Sequence, residues 1–145
     1  DLDVAENVML PLLIRNEDPK KSREKSKKIL SEVRLSNRHN FFPNDLSGGE
    51  QQRVAIARSL IAQSDLILAD EPTGNLDSTT SNNVMDLLKE INKKLGTTFL
   101  LVTHDKEIAS KCSRIMQMDD GLIIDNGRGE EEEPAGLRRR GEEEG

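Results

Sequence analysis

The chain has 145 residues, enough for one domain with a hydrophobic core. Its net charge of −6 excludes a broad basic surface for nucleic acid, and its aromatic content of 2% excludes base stacking as a main mode of binding. Because Cys112 is the only cysteine, an internal disulfide and a cysteine metal cluster are excluded, and a reducing, cytosolic compartment fits.

The first predicted element is a helix, because apolar residues recur at helical spacing from Leu2 to Leu13. Pro11 predicts a kink or a new helix start within this segment. The apolar stretch over residues 8–14 is far shorter than the roughly 18 residues that span a bilayer, so any membrane role requires a partner. The chain opens without methionine inside this pattern, which predicts a start in the middle of a domain.

Two more helices are predicted before the first strand. Residues 22–33 are rich in helix formers, residues 37–45 are rich in turn residues and predict a loop, and a helix follows over about residues 48–63. The expected buried edge of the first of these helices is Ile29, Leu30 and Val33.

The carboxyl half alternates strands and helices, which predicts a parallel α/β sheet. The predicted elements are a buried strand at 66–69, a helix at 78–95 ended by Gly96, a second buried strand at 97–102, a short helix at 105–110, and a hairpin with strands at 114–118 and 122–125. The expected inward face of the longer helix is Val84, Leu87, Leu88 and Ile91.

Residues 127–145 differ in composition from the rest of the chain. They contain blocks of glutamate and arginine, no lysine, and Leu137 as the only large apolar residue. Such a segment buries too little apolar surface to offset the entropy of ordering, so it is predicted to be disordered. A frameshift or chimeric reading frame is one interpretation of the change, and a disordered tail with a binding role is the other.

The first chemical motif is the octapeptide 46–53, which begins a predicted helix. Ser47 can cap this helix, and Glu50 can complete a capping box. Gly48 and Gly49 allow another molecule to approach the backbone, and exposed N–H groups at a helix start attract phosphate. An ordinary glycine-rich helix cap is the alternative interpretation.

Asp70 and Glu71 follow the apolar strand 66–69. Ligands of α/β sheets bind beyond the carboxyl ends of the strands, and two acids there indicate cation binding or proton chemistry. The alternative is a pair of helix-capping acids in a strand-to-helix loop. His104 follows the second strand and is therefore expected at the same sheet edge as Glu71.

Two further residues have simple structural interpretations. Asp77 directly precedes the helix 78–95 and can be its N-cap. A lone histidine is usually structural, and this is the interpretation for His39 in its polar loop.

In order and spacing these motifs resemble those of the ABC ATPase family. Residues 46–58 resemble the signature motif and its continuation, 66–71 a Walker B strand, 72–77 the D-loop, and His104 the switch histidine. The resemblance covers about residues 2–126. Residues 7–12 and Asn75 resemble the lipoprotein-release and macrolide-export branch of the family.

The resemblance implies a partial P-loop NTPase fold of the α/β class, with a mostly parallel sheet. A helical subdomain with the signature motif is expected over 1–63, the carboxyl half of the ATPase core over 64–126, and the charged tail over 127–145. The chain contains no Gly-Lys-Ser or Gly-Lys-Thr, so the P-loop and the first strands are expected to be missing through amino-terminal truncation. We therefore expect an inactive isolated chain with exposed sheet edges and apolar surface.

In that family, two subunits pair head to tail, and the signature motif of one closes on ATP held by the other. By resemblance, Asp70 holds Mg²⁺, Glu71 is the general base for the attacking water, and His104 contacts the γ-phosphate. The residues expected to contact ATP or to couple the two ATP sites are Ser47, Gly48, Gly49, Glu50, Gln51 and Asp77.

The implied function is that of an energy-coupling ATPase subunit of an inner-membrane ABC transporter, which hydrolyses ATP to drive export, with lipoprotein release as the candidate process. The expected partners are a second ABC ATPase subunit and integral membrane subunits that dock on the helical region that includes residues 1–45; nucleic acid is not expected. The expected location is cytoplasmic and peripheral, on the inner face of the cell membrane. The alternatives are a soluble ABC ATPase of chromosome or ribosome function and a non-catalytic interaction fragment.

Overall fold

A computed structural model describes residues 2–128 of the chain. The described residues divide into two compact units between His104 and Asp105. The first contains α1 (Val4–Ile14), α2 (Pro19–Glu32), a 3₁₀ turn (Pro43–Asp45), α3 (Gly48–Leu60), β1 (Leu66–Asp70), α4 (Ser78–Leu95) and β2 (Thr98–Val102), and the second contains α5 (Lys106–Ser110), β3 (Arg114–Asp119) and β4 (Leu122–Arg128).

The first helix does not restart at Pro11, contrary to one of the outcomes that the sequence predicts. Instead α1 is a single helix from Val4 to Ile14, begun by a capping box between Asp3 and Glu6. It packs against both α2 and α3. Its buried residues are Val4, Ala5, Val8, Met9 and Leu12. Burial of this face stabilises the helix enough to offset the backbone N–H that proline lacks.

The second helix begins at Pro19, earlier than the predicted residue 22. The carboxylate of Asp18 accepts the N–H of Lys21 at 2.9 Å, and Pro19 has a φ that suits the first helical position. Of the predicted buried edge, Leu30 and Val33 are fully buried, whereas Ile29 is only half-buried.

The parallel α/β arrangement predicted from the sequence is present in the first unit. Strands β1 and β2 pair in parallel, with Leu66 opposite Thr98 and Asp70 opposite Val102. Helix α4 has the predicted bounds and ends at Gly96, which has a φ of 71°. Its predicted inward residues are all buried: Val84, Leu87, Leu88 and Ile91.

The prediction that both strands are buried is wrong for one face of the sheet. Ile67 is only 7% exposed, but Leu66 and Leu68 on the opposite face are 51% and 70% exposed. On the same face of β2, Leu100 and Val102 are 41% and 58% exposed. The reason is that no layer within residues 2–104 covers this face, which confirms the expectation of exposed apolar surface and sheet edges for this unit.

The second unit contains the predicted hairpin. Strands β3 and β4 pair antiparallel around Asp120 and Gly121, whose φ angles are 44° and 78°. Strand β4 extends to Arg128, so it includes the first two residues of the predicted tail. The rest of that tail, residues 129–145, lies outside the described residues, and the predicted domain boundary at residue 63 stays a prediction.

Across residues 2–128, none of the helices has the length and apolar composition that crossing a membrane requires.

Candidate functional site

The start of α3 has the predicted capping box. The hydroxyl of Ser47 accepts the N–H of Glu50 at 3.4 Å, and the Glu50 carboxylate accepts the N–H and the hydroxyl of Ser47 at 3.0 and 2.9 Å. Ser47 and Gly48 are exposed, whereas Gly49 is buried. The N–H groups and the helix dipole therefore favour an anion at an accessible helix start.

A residue that the sequence did not identify orients Glu50 from the other side. The Nε of Arg38 donates to Glu50 Oε1 at 2.9 Å, and the Arg38 guanidinium lies 4.8 Å from the ring centroid of Phe41. The hydrogen bond from Arg38, followed by those from the backbone and hydroxyl of Ser47, lowers the pKa of Glu50 from 4.5 to about 2. Glu50 is therefore ionised throughout the physiological range, and both of its oxygens are engaged within the chain.

Gln51 ties the loop before α3 to the helix. Its side-chain amide donates to the carbonyls of Pro43 and Leu46, at 3.0 and 3.2 Å. These bonds hold the 3₁₀ turn against the first turn of α3, so the amide nitrogen of Gln51 has a structural role. Its predicted contact with ATP stays a prediction.

The two predicted catalytic residues lie together at the carboxyl edge of the sheet. Glu71 Oε1 lies 2.5 Å from Nδ1 of His104 and accepts the His104 main-chain N–H at 2.9 Å. The hydroxyl of Thr103, which the sequence did not single out, donates to Glu71 Oε2 at 3.2 Å. The side-chain hydrogen bond from His104, and then its backbone N–H, lower the pKa of Glu71 below its ordinary value, which keeps this carboxylate ionised.

The backbone at Glu71 turns sharply out of β1. Glu71 has a φ of 44°, in the left-handed region that non-glycine residues rarely adopt. Its N–H donates to the carbonyl of Val102 at 2.8 Å, which extends the strand pairing by one residue and fixes this turn. Backbone strain of this kind persists only where surrounding contacts hold the residue in place, and it is common at functional sites.

Asp70, the predicted Mg²⁺ ligand, ends β1 with an exposed side chain. Within the described residues, no group of three His, Cys, Asp or Glu side chains could hold a metal ion. Mg²⁺ is commonly bound by one or two carboxylates together with water and substrate phosphates. A single exposed carboxylate beside Glu71 therefore fits a nucleotide-bound Mg²⁺.

Asp77 is the N-cap of α4, as one interpretation of the sequence predicted. Its Oδ1 accepts the N–H of Thr80 at 3.0 Å, and its Oδ2 accepts the Thr80 hydroxyl at 2.5 Å. The hydroxyl bond, and then the backbone bond, lower the pKa of Asp77 below its ordinary value. The N-cap interpretation is compatible with a role in a D-loop, because capping leaves Asp77 exposed.

An apolar cleft of about 560 Å³ lies next to these residues and shares Asp70 with them. Its lining includes Leu10, Ile14, Ile67 and Phe99, together with Asp70. It contains neither Ser47 nor the Glu71 and His104 pair, so its shape carries no information about phosphate chemistry.

Of the residues that sequence reasoning missed, Thr80 could have been predicted from local spacing, whereas Arg38 could not. Thr80 is three residues after Asp77, the spacing between an N-cap and the N–H that it accepts, so capping rules could have found it. Arg38 lies 12 residues before Glu50 in a loop, where no local pattern predicts their contact.

Comparison with known proteins agrees with these observations. A family model described as ABC transporter matches residues 1–74. The lipoprotein-releasing system ATP-binding protein LolD of Alcanivorax borkumensis is 50% identical over 123 residues, which are 85% of this chain and 54% of that protein. LolD 1 of Rhodopseudomonas palustris is 49% identical over 119 residues, 81% of this chain and 53% of that protein. The chain thus spans about half the length of these curated relatives.

Solved structures show the same fold. The dimeric structure of MJ0796, described as a bacterial ABC transporter cassette, has a TM-score of 0.73 and 40% identity, covering 88% of this chain and 56% of that one. The structure of cbiO1 from Clostridium perfringens, described as part of the ABC transporter complex cbiONQ, has a TM-score of 0.80 and 28% identity, covering 87% and 51%. From its motifs, its fold and the family match, the chain belongs to the ABC transporter family.

Proposed function

We propose that this chain is the carboxyl part of an ATP-hydrolysing subunit of a lipoprotein-releasing ABC transporter. The observation that carries the proposal is the contact between Glu71 and His104 at the carboxyl edge of a parallel strand pair. A carboxylate held beside an exposed imidazole at this edge suits the activation of water for attack on a phosphate. The similarity to LolD proteins supports lipoprotein release as the process.

Each acidic residue has a separate task in this proposal. Asp70 holds the nucleotide-bound Mg²⁺, which would neutralise charge on the phosphates. Glu71 accepts a hydrogen bond from the attacking water and orients this water. Because the pKa of Glu71 is lowered, its carboxylate is ionised at neutral pH and can accept this bond. His104, with 87% of its side chain exposed, can turn its second ring nitrogen towards a γ-phosphate.

Ser47 and the N–H groups at the start of α3 act on a second nucleotide. We assign them to the γ-phosphate of ATP held by a partner ATPase subunit in a head-to-tail dimer, where the exposed helix start supplies positive potential. The related cassette MJ0796 has been solved as a dimer, including a state bound to ADP and Pi, which supports this arrangement. Asp77, at the end of the loop that begins at Glu71, would lie at the same interface.

The rest of the proposal concerns location and partners. The subunit works in the cytoplasm at the inner face of the cell membrane, where residues 1–45 dock on integral membrane subunits. Hydrolysis requires a P-loop, and no Gly-Lys-Ser or Gly-Lys-Thr occurs in this sequence. The phosphate cradle and its lysine therefore come from another polypeptide segment, and this chain by itself does not hydrolyse ATP.

Ser47→Asp tests the proposal, because it separates helix capping from phosphate binding. Aspartate caps helices as well as serine does, and Asp3 with Glu6 already forms such a box at α1. The added negative charge would repel a γ-phosphate, whereas Ser47→Asn is a neutral control that also caps. The binding partner is an intact LolD relative whose glutamate equivalent to Glu71 is replaced by glutamine, so that Mg²⁺–ATP persists.

We expect the chain and the Ser47→Asn variant to bind this partner with ATP and not with ADP, as measured by analytical ultracentrifugation. Ser47→Asp is expected to lose at least tenfold in affinity while it keeps its unfolding midpoint. Lack of ATP-dependent binding by the unaltered chain, or equal binding by Ser47→Asp, would contradict the proposal. Association with a membrane partner without any nucleotide dependence would instead favour a non-catalytic interaction fragment.

A further inference from the structure

The starts of α3 and α4 meet at Gly49 and Thr80. Gly49 is buried, and a Cβ atom added to it would lie 2.5 Å from Cγ2 of Thr80. Real Cβ atoms essentially never come this close to a non-bonded heavy atom, so the Thr80 side chain lies closer to the Gly49 backbone than any other residue at position 49 would allow. Beside this contact, a Cβ on Gly48 would lie 3.2 Å from Cδ2 of Leu76.

Backbone conformation does not explain the glycine at position 49. Among the described glycines, positive φ angles occur at Gly96 and Gly121, whereas Gly49 is an ordinary residue of α3. Glycine is a poorer helix former than alanine, so alanine would be favoured here if only the helix mattered. The space taken by Thr80 is therefore the reason within this chain that position 49 has no side chain.

The position of the Thr80 methyl group is fixed by Asp77. The Thr80 hydroxyl donates to Asp77 Oδ2 at 2.5 Å, and the Thr80 N–H donates to Asp77 Oδ1 at 3.0 Å. With its hydroxyl held by Asp77, the branched side chain has one rotamer, which points Cγ2 towards Gly49. Any movement of Asp77 thus changes the contact at Gly49.

We propose that Thr80 is a positioning residue, which couples Asp77 to the start of α3 so that the two move as one unit. The second glycine of the 46–53 motif is then required by packing inside the chain, in addition to any approach by a ligand. Under the proposed function, on which this consequence rests, Ser47 and Asp77 would meet a partner subunit in one fixed relative position. The packing relationship itself does not depend on that function.

A double-mutant cycle tests the packing. Gly49→Ala places a Cβ against the Thr80 methyl group and is expected to lower the thermal unfolding midpoint of the 145-residue chain by several degrees. Thr80→Ser removes that methyl group but keeps the hydroxyl bond to Asp77, so Gly49→Ala combined with Thr80→Ser should recover most of the loss. Thr79→Ser, at the exposed neighbouring position, is the matched control and should not rescue Gly49→Ala.

The proposal is overturned if the changes in stability caused by Gly49→Ala and Thr80→Ser simply add in the double variant. It is also overturned if Thr79→Ser restores the stability of Gly49→Ala equally well. If Gly49→Ala does not fold, the double variant decides: a folded double variant supports the contact, and an unfolded one beside a folded Thr80→Ser contradicts it. Both outcomes are independent of nucleotide, so they stand even if the proposed ATPase function fails.

A spectroscopic measurement separates coupling from simple packing. Thr80→Val keeps a methyl group against Gly49 but cannot donate a hydrogen bond to Asp77. We expect the amide ¹H–¹⁵N resonances of Ser47 and Gly49 to shift in this variant and not in Thr79→Ser. Unchanged resonances at both residues would show that Asp77 does not influence the start of α3.

The ATP-dependent partner assay adds the functional readout. Thr80→Val is expected to weaken binding of the glutamine-substituted LolD relative severalfold, although Thr80 does not touch the nucleotide in this proposal. If the unaltered chain binds with ATP and Thr80→Val binds equally well, the coupling is overturned. If the unaltered chain does not bind, the proposed function fails. The unfolding cycle and the amide resonances would still show whether Thr80 couples Asp77 to the start of α3.

Discussion

Glu71 and His104 are joined by two hydrogen-bond contacts to a single carboxylate oxygen, one at the imidazole Nδ1 and one at the main-chain N–H, at 2.5 and 2.9 Å. The parallel register brings them together: Asp70 is opposite Val102, so residues just beyond the two strand ends become neighbours. The same register places the Thr103 hydroxyl on the second oxygen of Glu71. Thr103 and His104, the two residues that follow β2, therefore orient the Glu71 carboxylate.

His104→Ala is predicted to raise the pKa of Glu71 towards its ordinary value. The His104 side chain is the largest cause of the lowered pKa, while the main-chain N–H of residue 104 stays in the variant. Titration of the Glu71 carboxyl carbon by ¹³C NMR measures this change. Because the folded pKa lies below the unfolded one, Glu71 stabilises the fold above its ordinary pKa, and this contribution is lost as pH falls through the folded value. An unchanged titration in His104→Ala would contradict the prediction.

Glu50→Gln is predicted to reduce stability at pH 7 by about 1 kcal/mol, through a weakened capping box and ion pair. The folded pKa of Glu50 is about 2 and the ordinary value is 4.5, so its contribution is fully present above pH 4.5 and is lost towards pH 2. Urea unfolding at pH 7, 5 and 3 should show the two proteins converging at the lowest pH. Glu24→Gln, on the exposed side of α2, is the control. A constant difference at all three values would argue against this origin.

Gly96→Ala is predicted to destabilise the chain by about 1–2 kcal/mol, because position 96 has a left-handed backbone. No atom lies within 4 Å of a Cβ built there, so a clash is not the cause. Gly96→Asn should cost less, since asparagine tolerates this conformation. Urea denaturation of both variants measures the difference. Equal losses of stability in both variants would indicate that the left-handed backbone at position 96 is not the cause of the destabilisation.

Leu68→Lys is predicted to reduce self-association of the chain. Leu68 is 70% exposed and lies on the same sheet face as Leu66, Leu100 and Val102, where an apolar patch adjoins unpaired strand edges. Sedimentation velocity across a concentration series should show less oligomer for this variant. Leu95→Lys, at a position 48% exposed at the end of α4, is the matched control. Equal effects of both substitutions would place the association elsewhere.

The starts of α3 and α4 and the end of α4 could be predicted because their causes are short-range. Ser47 with Glu50, and Asp77 with Thr80, are three residues apart, so the capping bonds follow from spacing alone. The extent of β1 burial could not be predicted in the same way. An apolar run of four residues is compatible with one covered face or with two, and only the arrangement of other layers decides between them.

The sequence by itself determined where α3 and α4 begin, where α4 ends, that strands alternate with helices, and which family the motifs resemble, because these properties depend on neighbouring residues. Only the tertiary structure decided that Arg38 orients Glu50 and that Thr80 occupies the space beside Gly49. The sequence predicted Glu71 and His104 at one sheet edge, and the structure added their direct contact. These pairs are separated by 12 to 33 residues. Contacts over such separations depend on how the helices and strands pack together, which no local pattern records.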